Sequence, residues 1–179
     1  MEIMINQAIT AHQEGRLKEA EQLYYSILEN QPTNLIVRNN LGVLQFNLGR
    51  FDEAEASYRK VIELKPDYVE AHNNLGSIFI KLDEYQKAKN SFEKVIDIDP
   101  NHVNANGNLG IIFSILKENQ KAKSYFEKAF AIDLNNLFFL NTYGTLLCRM
   151  NEHDKGLKLL KKGCGVIRFS QSTFKIMKQ

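Results

Sequence analysis

Residues 39–42 read Asn39-Asn40-Leu41-Gly42, and the same four residues return as Asn73-Asn74-Leu75-Gly76, with Asn108-Leu109-Gly110 one interval later and Tyr143-Gly144 after that. The glycines Gly42, Gly76, Gly110 and Gly144 stand 34 residues apart, and so do Asn6, Asn40, Asn74 and Asn108. A period in this range marks one supersecondary unit stacked on copies of itself. The fold is then decided by burial between neighbours, and the function by what each copy displays on its open face.

Placing the glycine at position 8 gives repeats 1–34, 35–68, 69–102, 103–136 and 137–170, an array over 1–170, and a tail over 171–179. Further columns fall into register: Ala20, Ala54, Ala88, Ala122 and Gly156 at position 20; Tyr24, Tyr58, Phe92, Phe126 and Leu160 at position 24; Pro32, Pro66 and Pro100 at position 32. Each unit reads as a helix A over positions 1 to about 14 and a helix B over positions 18 to about 31. Gly15 and Gly49 mark the turn between them, and the prolines forbid continuation of helix B. Asp67, Asn101 and Asn135 are predicted to cap the next helix A. At about 100° per residue, positions 4, 7, 8 and 11 share one face of helix A, and positions 2, 6, 9 and 13 the opposite one. The glycine column therefore faces helix B, where the small residue of position 20 lets the backbones approach. The asparagine column faces away.

The period and the small, aromatic and proline columns resemble the tetratricopeptide repeat family, and the resemblance spans residues 1 to about 170. It implies an all-α, right-handed α-solenoid of about five helix-turn-helix hairpins, with the helix A faces lining an inner, concave wall. His72 stands where the family often has tryptophan, which implies a packing role.

Composition bounds the function. Hydrophobic residues make up 44% and charged residues 25%, with net charge +2, too balanced to argue for nucleic acid. No run of about 18 apolar residues and no signal sequence is visible, so a soluble, cytoplasmic protein with no membrane contact is expected. Cys148 and Cys164 lack the spacing of a disulfide framework and fit reduced, partly buried thiols. There is no phosphate loop, no nucleophile elbow, no metalloprotease helix and no zinc-spaced cysteine pair. Gly163-Cys164-Gly165 has two glycines of a dinucleotide fingerprint, but Arg168 stands where the third would be, so it reads as a frayed helix end. The histidines His12, His72, His102 and His153 occupy unrelated positions, which suits solvated or edge-packed rings. No catalysis, cofactor, metal or small-molecule substrate is expected within the chain.

The expected activity is binding of a protein or extended peptide. Asn6, Asn40, Asn74 and Asn108 place one amide per repeat on the open helix A face, and an amide can grip a peptide backbone without selecting a side chain. Asn39, Asn73, Val43, Phe46, Ser77, Ile80, Lys81 and Ile111 complete the candidate groove. The competing reading is that the asparagines bond to the neighbouring repeat and satisfy groups there. The Asn-Asn-Leu-Gly tetrads are similar to the asparagine-ladder repeats of protein O-linked N-acetylglucosamine transferases, which implies a substrate-holding role for Asn6, Asn40, Asn74 and Asn108; Thr142 breaks the column in repeat 5. An alternative function follows, the substrate-recognition module of a glycosyltransferase, hydroxylase or methyltransferase whose catalytic part lies outside this chain. The family's clamp for chaperone carboxylates is missing, since position 5 reads Ile5, Asn39, Asn73, Gly107 and Asn141.

The last repeat departs from the pattern. Gly156, Gly163 and Gly165 are expected to weaken its helix B, and Leu157, Leu160 and Ile167 to lack a following helix. Self-association through that uncapped surface, or the tail folding back with Phe174 and Ile176 as anchors, would cover it. From Lys155 onward basic residues run without an acid, which reads as a solvated face.

Overall fold

The computed structural model describes residues 2–133, 136–164, 166–170 and 173–177. They form two compact units, Met1–Ile98 and Asp99–Gln179. The first holds three helical hairpins: α1 (Glu2–Gln13) with α2 (Leu17–Asn30), α3 (Leu35–Asn47) with α4 (Phe51–Leu64), and α5 (Val69–Lys81) with α6 (Tyr85–Ile98). The second holds α7 (Val103–Ile115) with α8 (Asn119–Ile132) and α9 (Leu137–Arg149) with α10 (His153–Cys164), followed by strands β1 (Val166–Ser170) and β2 (Thr173–Met177). The array is all-α, and α3, α5, α7 and α9 begin at the 34-residue spacing of the glycine columns.

In the first unit, each core joins one hairpin to the first helix of the next. Ala8, Ala11, Ala20, Tyr24, Ile27 and Leu28 pack with Val37, Leu41 and Leu44 of α3. Ala54, Tyr58 and Val61 of α4 pack with Ala71 and Ile78 of α5. Stacking therefore buries what one hairpin cannot bury alone. In the second unit Tyr143 of α9 stacks on Phe126 at 5.1 Å and on Phe130 at 5.5 Å between ring centres.

The glycine of position 8 does face helix B, but what it meets differs from expectation. A Cβ on Gly76 would lie 2.7 Å from the Phe92 ring, one on Gly42 2.6 Å from Tyr58, and one on Gly110 2.9 Å from Phe126. The aromatic of position 24, rather than the alanine of position 20, takes the space. Only at Gly144 do the backbones themselves approach, where a Cβ would stand 2.9 Å from the Gly156 carbonyl oxygen.

The turn between the helices is left-handed in every repeat. Gly15 and Gly49 have φ +77° and +75°, and Asp83, Lys117 and Asn151 occupy the same column at φ 58°, 62° and 63°. Helix caps also move by one residue from Asp67 and Asn101. The cap position is held by Asn34, whose side chain accepts from the Val37 N–H at 3.1 Å, by Tyr68, by His102, whose Nδ1 accepts from the Ala105 N–H at 3.1 Å, and by Asn136. Asn135 lies outside the described residues. His102 is thus a cap and not a solvated ring.

Position 4 carries a donor for the proline loop. Arg38 donates to the Pro32 carbonyl at 2.8 Å, His72 bonds the Pro66 carbonyl at 2.8 Å, and Asn106 donates to the Pro100 carbonyl at 3.1 Å. Proline cannot donate but its carbonyl needs a partner, and three unlike side chains supply it. The packing role expected for His72 is therefore joined to a hydrogen bond.

The last repeat corrects two expectations. Leu160 is fully buried and not left uncovered. Helix B stops at Cys164, and β1 pairs antiparallel with β2, Ile167 opposite Ile176 and Phe169 opposite Phe174. Glycines flank the helix end, and the β-branched and aromatic residues that follow favour strand over helix, which explains why the chain leaves the repeat pattern there. The side chains of Phe174 and Ile176 lie outside the described residues.

Candidate functional site

The asparagine column reaches the surface of helix A to differing degrees. In the first unit Asn6 on α1 is exposed, while Asn40 on α3 and Asn74 on α5 are half-buried. In the second unit Asn108 on α7 is half-buried. Asn74 Nδ2 donates to Asn39 Oδ1 at 3.4 Å, a long bond between neighbouring repeats. Asn39 is buried, and the side-chain oxygen of Asn73 is buried with no partner among the described residues. Asn6, Asn40 and Asn108 engage no side-chain hydrogen bond among the described residues. Asn6 also opens into a cavity of about 540 Å³ lined by Ile3, Gln7, Thr10 and Leu23.

The remaining candidates divide by packing. Val43 and Phe46 lean on the core shared by α4 and α5, and Phe46 lies 5.5 Å from the Phe51 ring, so part of their apolar surface is spent between repeats. Ile80 and Ile111 are half-buried. Ser77 donates back to the Asn73 carbonyl at 3.1 Å, and Lys81 is exposed at the end of α5. In the second unit the column beside the ladder changes character, because a Cβ on Gly107 would lie 2.2 Å from Phe139; the glycine admits the ring of the following repeat.

Models of one repeat family match four stretches of the chain. A TPR repeat model matches residues 44–83, and tetratricopeptide repeat models match 1–24, 69–102 and 103–136, the last three starting where the glycine frame starts its repeats. The chain is a tetratricopeptide repeat protein. Among solved structures this tetratricopeptide array is similar to MamA from Desulfovibrio magneticus RS-1, at 20% identity over 90% of this chain and 92% of that one, with TM-score 0.78. It is similar to pilF of Pseudomonas aeruginosa at 20% identity over 90% of this chain and 74% of that one, with TM-score 0.82. YrrB, described as a TPR protein with an unusual peptide-binding site, matches at 18% identity over 89% of this chain and 82% of that one, with TM-score 0.70. At these identities the likeness is one of fold. No curated protein matches the sequence. The resemblance to O-linked N-acetylglucosamine transferases gains no support from these comparisons.

Among the described residues no group of three His, Cys, Asp or Glu side chains is placed to hold a metal ion, and no helix is long and apolar enough to cross a membrane. Cys148 is a half-buried free thiol. Burial raises the Tyr58 and Tyr143 hydroxyls above their ordinary range, with Glu127 adding to the effect at Tyr143, so these phenols stay protonated at neutral pH.

One polar cluster lies outside the repeating columns. Gln45 of α3 is only 3% exposed, and its Oε1 accepts from Ser57 Oγ at 2.7 Å. A glutamine at position 11, on the face that packs against helix B, is a departure from the apolar pattern of that face. That departure was the available signal.

Proposed function

We propose that this tetratricopeptide array is a protein-interaction scaffold whose helix A faces hold an extended peptide or partner segment. The observation that carries the reading is the set of side-chain amides at Asn6, Asn40 and Asn108, which recur at the repeat period, reach the surface and bond to nothing else among the described residues. Amides satisfied within the fold would be structural; amides left unengaged beside half-buried aliphatic side chains suit a ligand backbone. Asn74 takes part more weakly, because the long bond to Asn39 competes. The peptide-binding description of YrrB is consistent with the class of partner.

The test begins with selection of binders from a random displayed-peptide library. The triple change Asn40→Ala, Asn74→Ala and Asn108→Ala should then weaken the selected peptides by roughly tenfold to a thousandfold, taking about 0.5 to 1.5 kcal/mol per amide. The melting temperature should barely move. A large loss of stability with unchanged peptide affinity would overturn the reading and make the column inter-repeat structure.

A further inference from the structure

On the other side of α3, away from the asparagine column, a cavity of about 560 Å³ opens between α2 and α4. Its floor is α3, which contributes Arg38, Leu41 and Gln45; one wall is Tyr25, Leu28 and Glu29 of α2, the other Glu53, Ala56 and Ser57 of α4. That volume falls in the range of sites that take small ligands or single side chains.

Gln45 gives the cavity its direction. The Ser57 hydroxyl holds its oxygen, and its nitrogen turns toward Glu53, which can only accept, and toward the Tyr25 hydroxyl. Both contacts are 3.5 Å long, at the outer limit of a hydrogen bond, so a deeply buried amide holds two N–H donors that the fold only loosely satisfies. An acceptor entering the cavity would engage them better.

The rest of the lining favours a cation. Tyr25, 44% exposed, supplies an aromatic ring, and Glu29 stands one helical turn along on the same wall. Glu53 faces them, only partly neutralised by Arg50, whose Nε lies 3.6 Å away. An aromatic ring with carboxylates on either side attracts an ammonium or guanidinium, while Leu28, Leu41 and Ala56 cover an aliphatic stem. Arg38, a cation in the same lining and held on the Pro32 carbonyl, offsets part of the negative charge of Glu29 and Glu53.

We propose that this cavity is a second recognition site, which takes one arginine or lysine side chain of a partner peptide, with the peptide's own carbonyl on the Gln45 amide. It does not depend on the asparagine column. The probes are acetyl-Gly-Arg-Gly-amide, acetyl-Gly-Lys-Gly-amide and, as the neutral isostere, acetyl-Gly-norleucine-Gly-amide, titrated into the full chain with NMR readout at the Gln45 side-chain amide and the Tyr25 ring. The basic peptides should shift both signals saturably, at least about tenfold more tightly than the norleucine peptide. The double change Glu29→Gln, Glu53→Gln should weaken them by about tenfold, and Ala56→Trp, at an exposed position that lines the cavity, should block them without unfolding the chain. The triple asparagine variant should bind them as the parent does. Equal binding of the norleucine peptide, indifference to both sets of changes, or shifts spread over outlying acids such as Asp52 and Glu63 with Gln45 unmoved would overturn the proposal.

Discussion

The hairpin α5–α6 and the hairpin α9–α10 share one frame and solve its central contact in opposite ways. In the first, Gly76 leaves room for the Phe92 ring, which is fully buried against it. In the second, Leu160 replaces the ring, and glycine stands on both sides: a Cβ on Gly156 would lie 2.7 Å from the Gly144 carbonyl oxygen and 2.6 Å from Cys148 Sγ. The same column therefore meets a ring in one repeat, and a leucine side chain together with the facing backbone in the other. Gly156 is not merely a weak helix former; it is a spacer that its neighbours require.

The difference is sharpest when the filling side chain is removed. Phe92→Ala should empty the site opposite Gly76 and cost about 3 to 5 kcal/mol, measured by denaturant unfolding. Leu160→Ala, in the hairpin whose backbones already touch, should fall at the lower end of about 2 to 5 kcal/mol. Equal losses would mean that the two contacts are energetically the same and the contrast is only geometric.

Overfilling gives the next effect. Gly76→Val presses on a ring, and Gly156→Val presses on a carbonyl and a sulfur, so within the usual range of about 1 to 3 kcal/mol the second should cost more. The pair also predicts a rescue. Gly76→Ala combined with Phe92→Leu imports the leucine of the last repeat and should recover part of the loss caused by Gly76→Ala alone. Simple additivity in that double-mutant cycle would sink the idea that the column trades ring against backbone.

How much of this the sequence made legible depends on whether a column keeps one residue type. The period, the hairpins and the position of the glycine face were readable because Gly42, Gly76, Gly110 and Gly144 each stand where a Cβ would collide with helix B, whatever helix B places there. The turn column was half hidden, since Asp83, Lys117 and Asn151 adopt the left-handed conformation that Gly15 and Gly49 advertise. The proline-loop donors were hidden altogether: Arg38, His72 and Asn106 share a hydrogen bond and nothing in side-chain type. At the candidate site the ladder was visible by repetition, but the Asn39–Asn74 bond and the Phe139 ring seated at Gly107 join residues of different repeats, and a column read down one position cannot show them.

The turns themselves offer a smaller contrast. Gly49→Ala should cost about 1 to 2 kcal/mol, because an L-residue is strained at φ +75°. Lys117→Gly, which relieves such strain at the equivalent turn of the second unit, should be neutral or stabilising by up to about 1 kcal/mol. Opposite signs in thermal melting would support the shared geometry; destabilisation at both would show that Lys117 is held there by something other than the backbone.

Buried rings of the first hairpin extend the comparison to pH. Burial pushes the Tyr24 hydroxyl up to about 12, above its unfolded value of 10.0. The folded state then binds the proton more tightly, so this contribution to stability is whole below pH 10.0 and is lost as pH rises toward 12. Tyrosinate absorbance should show this phenol ionising late, together with loss of helix, and Tyr24→Phe should remove that component. Early ionisation with the helix intact would contradict the burial.

His12, edge-on to the same ring with centres 6.1 Å apart, gives the smallest effect and the opposite direction. Its Nδ1 lies 3.4 Å from the Tyr24 hydroxyl and its Nε2 3.5 Å from Asn47 Nδ2, and burial lowers its pKa below 6.5. An unfolded chain protonates this imidazole more readily than the folded one does. Stability from the neutral ring is therefore complete above pH 6.5 and declines as pH falls through the lower folded value. Between pH 7.5 and 5.5 the parent should lose more melting temperature than His12→Asn, which keeps a polar group but cannot titrate. Identical slopes in the two proteins would show that the ring is already wet enough to charge without cost, and would remove His12 from the packing of the first hairpin.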